Sequence, residues 1–499
     1  PHFTVIKKDG GDLLPQGEQD NRKAGRYIQR VVNRENLEAS NEFFIHFVEE
    51  VHKRGIRILL DGVFNHCGSF NKWLDRERLY ESSGDYEEGA YVSEVSSYRD
   101  FFRFNNEHEW PYNEYYDGWW GHKTLPKLAY ETSPELREYI MNIARKWVSP
   151  PYSVDGWRLD VAADLGLKED YNHDFWKEFR SSVKEANSEA VIYAEHYGDA
   201  SAWLKGEEWD SVMNYDSFME PLTWFLTGME KHSEYFRADL LNNEHALLGA
   251  LRENIRAFYG PSFLIAMNQL SNHDHSRFLT RTSHMEGRLG SRSSEDASLG
   301  ISKAVFREAV ALQMIWSGAP TLYYGDEAGL CGFTDPDNRR TYPWGREDHE
   351  LIAFHKEMIR IHKENQACRT GSGKIVLALH GIIGMIRFAK GSQVLVVVNN
   401  NEEGQKVSVP VWIGEVFDGV LMERLILSVG DGFTTENACY LVSDGAIEIF
   451  LPPFSAAVLR TRKAVKKESV QPKKKKRKWF ARRRQYVKGS TWKNRNRGS

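Results

Sequence analysis

Short apolar runs alternate with amphipathic stretches along most of this 499-residue chain, and that alternation limits the fold more than any single motif does. The runs IRILLDGV (from Ile56), DGWRLDVA (from Asp155), AVIYAEHY (from Ala190), SVMNYD (from Ser211), FLIAMNQLSNHD (from Phe263) and APTLYYGDE (from Ala319) read as buried parallel strands. Between them, NEFFIHFVEEVHKRG (from Asn41), SPELREYIMNIARKWV (from Ser133) and DFWKEFRSSVKEAN (from Asp174) carry apolar residues at helical spacing. Repeated strand-then-helix units predict an α/β fold with a parallel sheet covered by helices. With this many units, a (β/α)8 TIM barrel is favoured over an open sheet.

Two regions break the alternation. Residues 67–125 follow the first strand without a helix, are rich in Trp and Tyr, and are too long for an ordinary connecting loop. They predict a subdomain inserted into a barrel that spans 1–372. From 373 to 462 the pattern changes to short runs such as QVLVVVNN (from Gln393), KVSVPVWI (from Lys406) and AIEIFLPPFSAAVLR (from Ala446), separated by Gly, Asn and Asp. That pattern predicts a C-terminal antiparallel β-sandwich.

The remaining 37 residues, 463–499, hold 16 Lys and Arg against the single acid Glu468, a net of +15, which leaves the first 462 residues at −19 of a chain total of −4. PKKKKRKWFARRR (472–484) is too charged and too poor in aliphatics to fold alone, so the tail is expected to be disordered and suited to binding a polyanion. No stretch approaches the roughly 18 to 20 uninterrupted apolar residues of a membrane span. Cys67, Cys331, Cys368 and Cys439 are scattered and lack metal-ligand spacing, which fits free thiols in a reducing compartment. With polar opening residues and no apolar signal segment, the expected location is the cytoplasm.

Acids recur late in the strand runs, where barrel enzymes place their chemistry. DGVFNH (61–66), GWRLDVA (156–162), AEHYGD (194–199) and SNHD (271–274) carry them in order. These segments resemble the four short sequence regions of the α-amylase superfamily. LPKLAYE (125–131) resembles the MPKLN segment of its neopullulanase, cyclomaltodextrinase and maltogenic amylase branch. GAPTLYYGDEAGL (318–330) and TDPDNRR (334–340) resemble that branch's last barrel strand and the loop beyond it.

The resemblance implies a retaining hydrolase of α-1,4 bonds in maltodextrins, cyclodextrins or starch-like glucans, acting without an organic cofactor. Asp160 would be the nucleophile, Glu195 the general acid and base, and Asp274 the third carboxylate. Arg158 would keep Asp160 ionised. His66, His196, His273, Asp335 and Arg339 would bind the sugar. A residue at the Asn65 position often helps bind calcium in this family, so a calcium ion stays open, although no further ligand set is evident and no metal ligand is assigned.

Three departures stand out. The branch's VANE is Val161, Ala162, Ala163 and Asp164 here, and the Asn closing MPKLN is Ala129. The family's first two barrel strands should precede the helix at Asn41, yet residues 1–40 are mostly polar, and GRYIQRVVN (25–33) reads as a remnant of the segment after the second strand. Two alternatives therefore stand beside hydrolysis: a 4-α-glucanotransferase using the same site, and a non-catalytic glucan-binding protein with an incomplete barrel. The sequence does not address oligomeric state.

Overall fold

The structure, a computed structural model, describes residues 23–81 and 84–462. The basic tail expected from residue 463 lies outside the described residues, as does 1–22. Helices α1 (Gly25–Val32) and α2 (Arg34–Lys53) meet at Asn33, whose side chain caps α2 by accepting the Asn36 N–H at 3.1 Å. The helix expected from Asn41 thus begins at Arg34, and the stretch read as a remnant is α1.

Strand and helix then alternate in the order β1 (Leu59–Gly62), α3 (Pro134–Val148), β2 (Gly156–Leu159), α4 (Glu169–Ala186), β3 (Val191–Ala194), β4 (Ser211–Val212), α5 (Glu220–Thr227), α6 (Glu244–Ile255), α7 (Gly260–Leu264), β5 (Met267–Gln269), α8 (Phe278–Arg281), α9 (Lys303–Ile315) and β6 (Ala319–Thr321). Strands β1 to β4 pair in chain order, all parallel, and β5 pairs with β6. A single parallel bridge, Met213 to Met267, joins the two groups into one row of six strands.

Among the described residues nothing pairs with the outer edge of β1 or of β6. Leu59 on the first and Leu322 just past the second are 37% and 38% exposed, unusual for apolar residues of a parallel sheet. A closed barrel is therefore not what these residues form by themselves.

The strands are also shorter than their apolar runs. The run from Phe263 is not a strand at its start: Pro261 sits in the first turn of α7, where its fixed φ favours a helix, and pairing begins only at Met267. The run from Ser211 pairs for two residues before Asn214 caps a π-helix, Tyr215–Met219, by accepting the Ser217 N–H at 3.2 Å.

Two aspartates anchor the start of the row. Asp155 accepts from the Ile58 N–H at 2.8 Å, from Arg57 at 2.7 Å and from His52 at 2.8 Å, tying α2 to β1 and β2. Asp210 binds the Ile192 N–H, Arg180 and Lys184, tying β3 and β4 to α4. Helix α3 starts at the Ser133 cap and buries Leu136, Ile140, Met141, Ala144 and Val148 along one face. That face shares a core with Trp157 and Leu159 of β2 and with Trp73, Phe101, Phe102 and Tyr116 of the insertion. The insertion is thus packed onto the first strands as part of the same body.

Helices α10 (His349–Glu364) and α11 (Gln366–Thr370) lead into nine strands: β7 (Ser372–Leu379), β8 (Ile382–Ala389), β9 (Ser392–Asn399), β10 (Gln405–Pro410), β11 (Leu421–Val429), β12 (Gly432–Thr434), β13 (Cys439–Leu441), β14 (Ala446–Leu451) and β15 (Ser455–Thr461). One antiparallel sheet runs β12-β11-β15-β9-β8-β7 with β13 on β11, and β10 pairs with β14 in a second. The run from Ala446 is split by Pro452 and Pro453, so its halves join different sheets. Valines and isoleucines from both sheets, among them Val397, Val409, Ile447 and Ile449, fill the core between them. The expected sandwich is present. No helix among the described residues is long and apolar enough to cross a membrane.

Candidate active site

Along β2, side chains alternate between the helix side and the opposite face of the sheet. Trp157 and Leu159 are buried in the core, and Arg158 and Asp160 lie on the other face, at the strand's C-terminal end. The Arg158 guanidinium gathers three carboxylates: Nη1 donates to Asp61 at 2.8 Å and to Asp160 at 2.7 Å, and Nη2 donates to Glu195 at 2.8 Å. Register places them there, since Asp61 sits opposite Arg158 in the β1–β2 pairing and Glu195 comes directly after β3.

The backbone completes this arrangement. Asp160 donates its N–H to Gly62 and Glu195 donates to Leu159, extending the parallel ladder past the strand ends. Val161, a β-branched residue held at a left-handed φ of 38°, donates its N–H to Glu195 Oε2 at 3.2 Å. Such strain persists only where surrounding structure enforces it, and it concentrates at functional sites.

Burial pushes the Glu195 carboxyl up to about 7; Arg158 opposes that shift, while the charge of Asp160 adds to it. Both hydrogen bonds from Arg158 and Val161 fall on Oε2, leaving Oε1 to hold the proton. A buried carboxyl that keeps its proton to about pH 7, set beside a second carboxylate, is the pairing that acid-assisted displacement at an acetal carbon uses.

His66 lies beside this group. Its Nδ1 receives the Asn65 amide at 3.2 Å, which puts the ring proton on Nε2, and burial pushes the imidazole below its usual range. Trp119 covers the ring at 5.0 Å between centroids and 4° between planes. The Trp119 indole in turn donates to Asp164 at 2.9 Å, so Asp164 serves the insertion's tryptophan.

The second half of the site comes from β5 and the loop after β6. Asn272 Oδ1 accepts the N–H groups of Asp274 and His275, both at 3.0 Å, and so shapes the turn. Thr334 donates to the Asp274 carbonyl at 2.6 Å, and Asn338 donates to the carbonyls of Asn272 and His275. Arg339 reaches the His273 carbonyl at 2.9 Å, the Asp274 carboxylate at 3.4 Å and Asp335 at 2.7 Å. Asp274, His273, Asp335 and Arg339 therefore cluster, and the Asp274 charge reaches Glu195.

His196 is not part of this cluster. It packs at 5.0 Å from Trp203, near Trp209, with Nε2 on the Asp199 carbonyl. As the neighbour of Glu195 along one extended segment, it points the opposite way. Tyr197, the next residue round, returns to the site side, stacked on Tyr215 at 4.2 Å with its hydroxyl 3.1 Å from Nε2 of the buried His275.

Sequence reasoning missed Lys127 as well. Its ammonium donates to Asn65 Oδ1 at 3.0 Å and to the Asp164 carbonyl at 2.6 Å. Asp61 lies in the motif DGVFNH and was expected to shape the end of its strand, and Lys127 lies in LPKLAYE, but neither was expected to make the contact it does, and nothing local in the sequence signals the Tyr197–His275 contact.

The α-amylase catalytic domain family matches residues 39–370. Over 387 residues the chain is 34% identical to neopullulanase 2 of Thermoactinomyces vulgaris, covering 74% of this chain and 55% of that protein. It is 30% identical over 447 residues to an amylopullulanase of Thermoanaerobacterium thermosulfurigenes, covering 83% of this chain and 22% of the relative. The chain thus spans only part of the length of these relatives. The solved structure of the Nostoc punctiforme debranching enzyme superposes with a TM-score of 0.64 at 26% identity, covering 84% of this chain and 79% of that one. The match across most of the body, with the acids of three of the motifs gathered on one arginine, makes this chain a member of the α-amylase family.

Proposed function

We propose that this chain is a retaining glycoside hydrolase of α-1,4-linked glucans such as maltodextrins, cyclodextrins or starch, with Asp160 as nucleophile, Glu195 as acid and base, and Asp274 as the third carboxylate. The observation that carries the reading is the Arg158 clamp, which holds Asp160 and Glu195 on one guanidinium while burial keeps Glu195 protonated to about pH 7.

In the first step Asp160 attacks the anomeric carbon and the bond to the leaving oxygen breaks. Glu195 Oε1 supplies the proton to that oxygen, and Arg158 stabilises the carboxylate left behind. In the second step Glu195 takes a proton from water, which displaces Asp160. Asp274 with Arg339, and His66 through its Nε2 proton, hold sugar hydroxyls while the ring flattens; His273 lies against Asp274 and Asp335 against Arg339. The two unpaired edges fit a (β/α)8 barrel completed by two further strands between β6 and β1, and the basic tail is assigned to polyanion binding.

Glu195→Gln tests the acid role. It should reduce hydrolysis of maltoheptaose by roughly a hundredfold or more, yet spare aryl glucosides whose leaving group departs unaided. Equal loss on both substrates would remove Glu195 from that role.

A further inference from the structure

The ammonium of Lys127 stands where three segments meet. Asn65 belongs to the loop after β1 that carries His66; Asp164 lies just beyond the Asp160 strand; Lys127 itself follows the insertion by two residues. One amide oxygen, Asn65 Oδ1, and one main-chain oxygen, Asp164 O, both point at Nζ. Two neutral oxygen donors converging from separate loops form the kind of cradle that a hard cation takes, and here a side chain fills it.

The remaining contacts lock the lysine in place. Its backbone forms an antiparallel bridge with His66, and its N–H donates to the Asp117 carbonyl at 2.9 Å. The carboxylates of Asp164, Glu131 and Asp117 supply the surrounding negative charge, and Trp119 already holds Asp164 Oδ2. A calcium ion at Asn65 would have to share both oxygens with an ammonium and would meet a like charge at contact distance. These residues do not fit the calcium that the family resemblance leaves open.

We propose that Lys127 acts as a built-in cation at the junction of the insertion and the sheet, a positioning residue that fixes Asn65 and His66 on one side and the Asp164 loop on the other without a metal ion. The geometry accounts for a lysine in particular, because a tetrahedral ammonium offers several donors from one point whereas a planar guanidinium spreads them along a fork.

The test uses metal content and thermal unfolding, so its outcome does not depend on whether the glucan reading is correct. Purified full-length protein should contain no stoichiometric calcium by elemental analysis, and its Tm should be the same in chelator and in excess calcium chloride. Lys127→Met, which keeps much of the volume and removes the charge, should lower Tm by roughly 2 °C or more. Lys127→Asp, which puts a carboxylate beside the two oxygens, should gain a calcium-dependent rise in Tm. Stoichiometric calcium in the unmodified protein, a Tm that falls in chelator, or a Lys127→Met protein as stable as its parent would each overturn the proposal. Should either variant fail to fold, the chelator and calcium series on the unmodified protein still decides.

Discussion

At the scale of single residues, the site's logic is the separation of two carboxyls that share one guanidinium. Glu195 is raised from 4.5 to about 7 by burial, offset in part by Arg158, whereas Asp160 accepts a hydrogen bond from Arg158 Nη1. The proposed mechanism requires Glu195 to be protonated, so kcat/KM for glucan hydrolysis should fall as pH rises through about 7. The folded chain also keeps this proton longer than the unfolded one, so Glu195 makes stability decline as pH rises from 4.5 to about 7. In Glu195→Gln the stability dependence should flatten, as read by Tm against pH; a Tm that still declines over the same range would assign that dependence to another group. Asp160, Glu195, Asp274 and Arg158 were legible because each lies within one short motif at a strand end. His196 sits in such a motif too, but alternation along the segment turns it onto Trp203. Lys127 lies in a quoted motif too, but its contact was not legible because its partner Asn65 is 62 residues away in sequence.

At the scale of elements, the strand ends aim these side chains, and one glycine makes their close pairing possible. Gly156 opens β2 at φ +150°, and a Cβ there would lie 2.0 Å from the Val191 carbonyl oxygen. Gly156→Ala should therefore pry β2 from β3, cost about 3 kcal/mol or more in chemical denaturation, and reduce activity through the displaced Arg158. A variant with the parent's stability would mean that the β2–β3 register is not what places the clamp. Periodicity located most of these elements but not their ends. Apolar residues continue past β4 into the π-helix and precede β5 inside α7, so an apolar run marks burial, and only caps, prolines and pairing mark where a strand begins. The sandwich strands were clearer, because alternation on a sheet with one solvated face is visible in β10 and β14.

At the scale of the whole molecule, six parallel strands in a row carry the site and leave two edges unpaired among the described residues. The polar character of residues 1–40 raised the expectation of missing early strands, and of that stretch the described part is helical, with helices at 25–32 and 34–53 that were not fully anticipated. Buried Arg387 of the sandwich donates to the carbonyls of Ile315, Trp316 and Gly371, so the sandwich braces α9 and the connection to β6, the weakly held side of the row. If the edges are what limits the molecule, fusing a segment with two family-like parallel strands ahead of residue 23 should raise both soluble yield and Tm. No gain in either would show that the row is stable with its edges as they are. The central claim, displacement by Asp160 with Glu195 as acid, is tested most directly by proton NMR of the reducing ends first released from maltoheptaose, before mutarotation mixes them. The account predicts α-anomers released by the parent chain at whatever rate it turns over, and no release by Asp160→Asn. First-formed β-anomers, or undiminished release by Asp160→Asn, would contradict it.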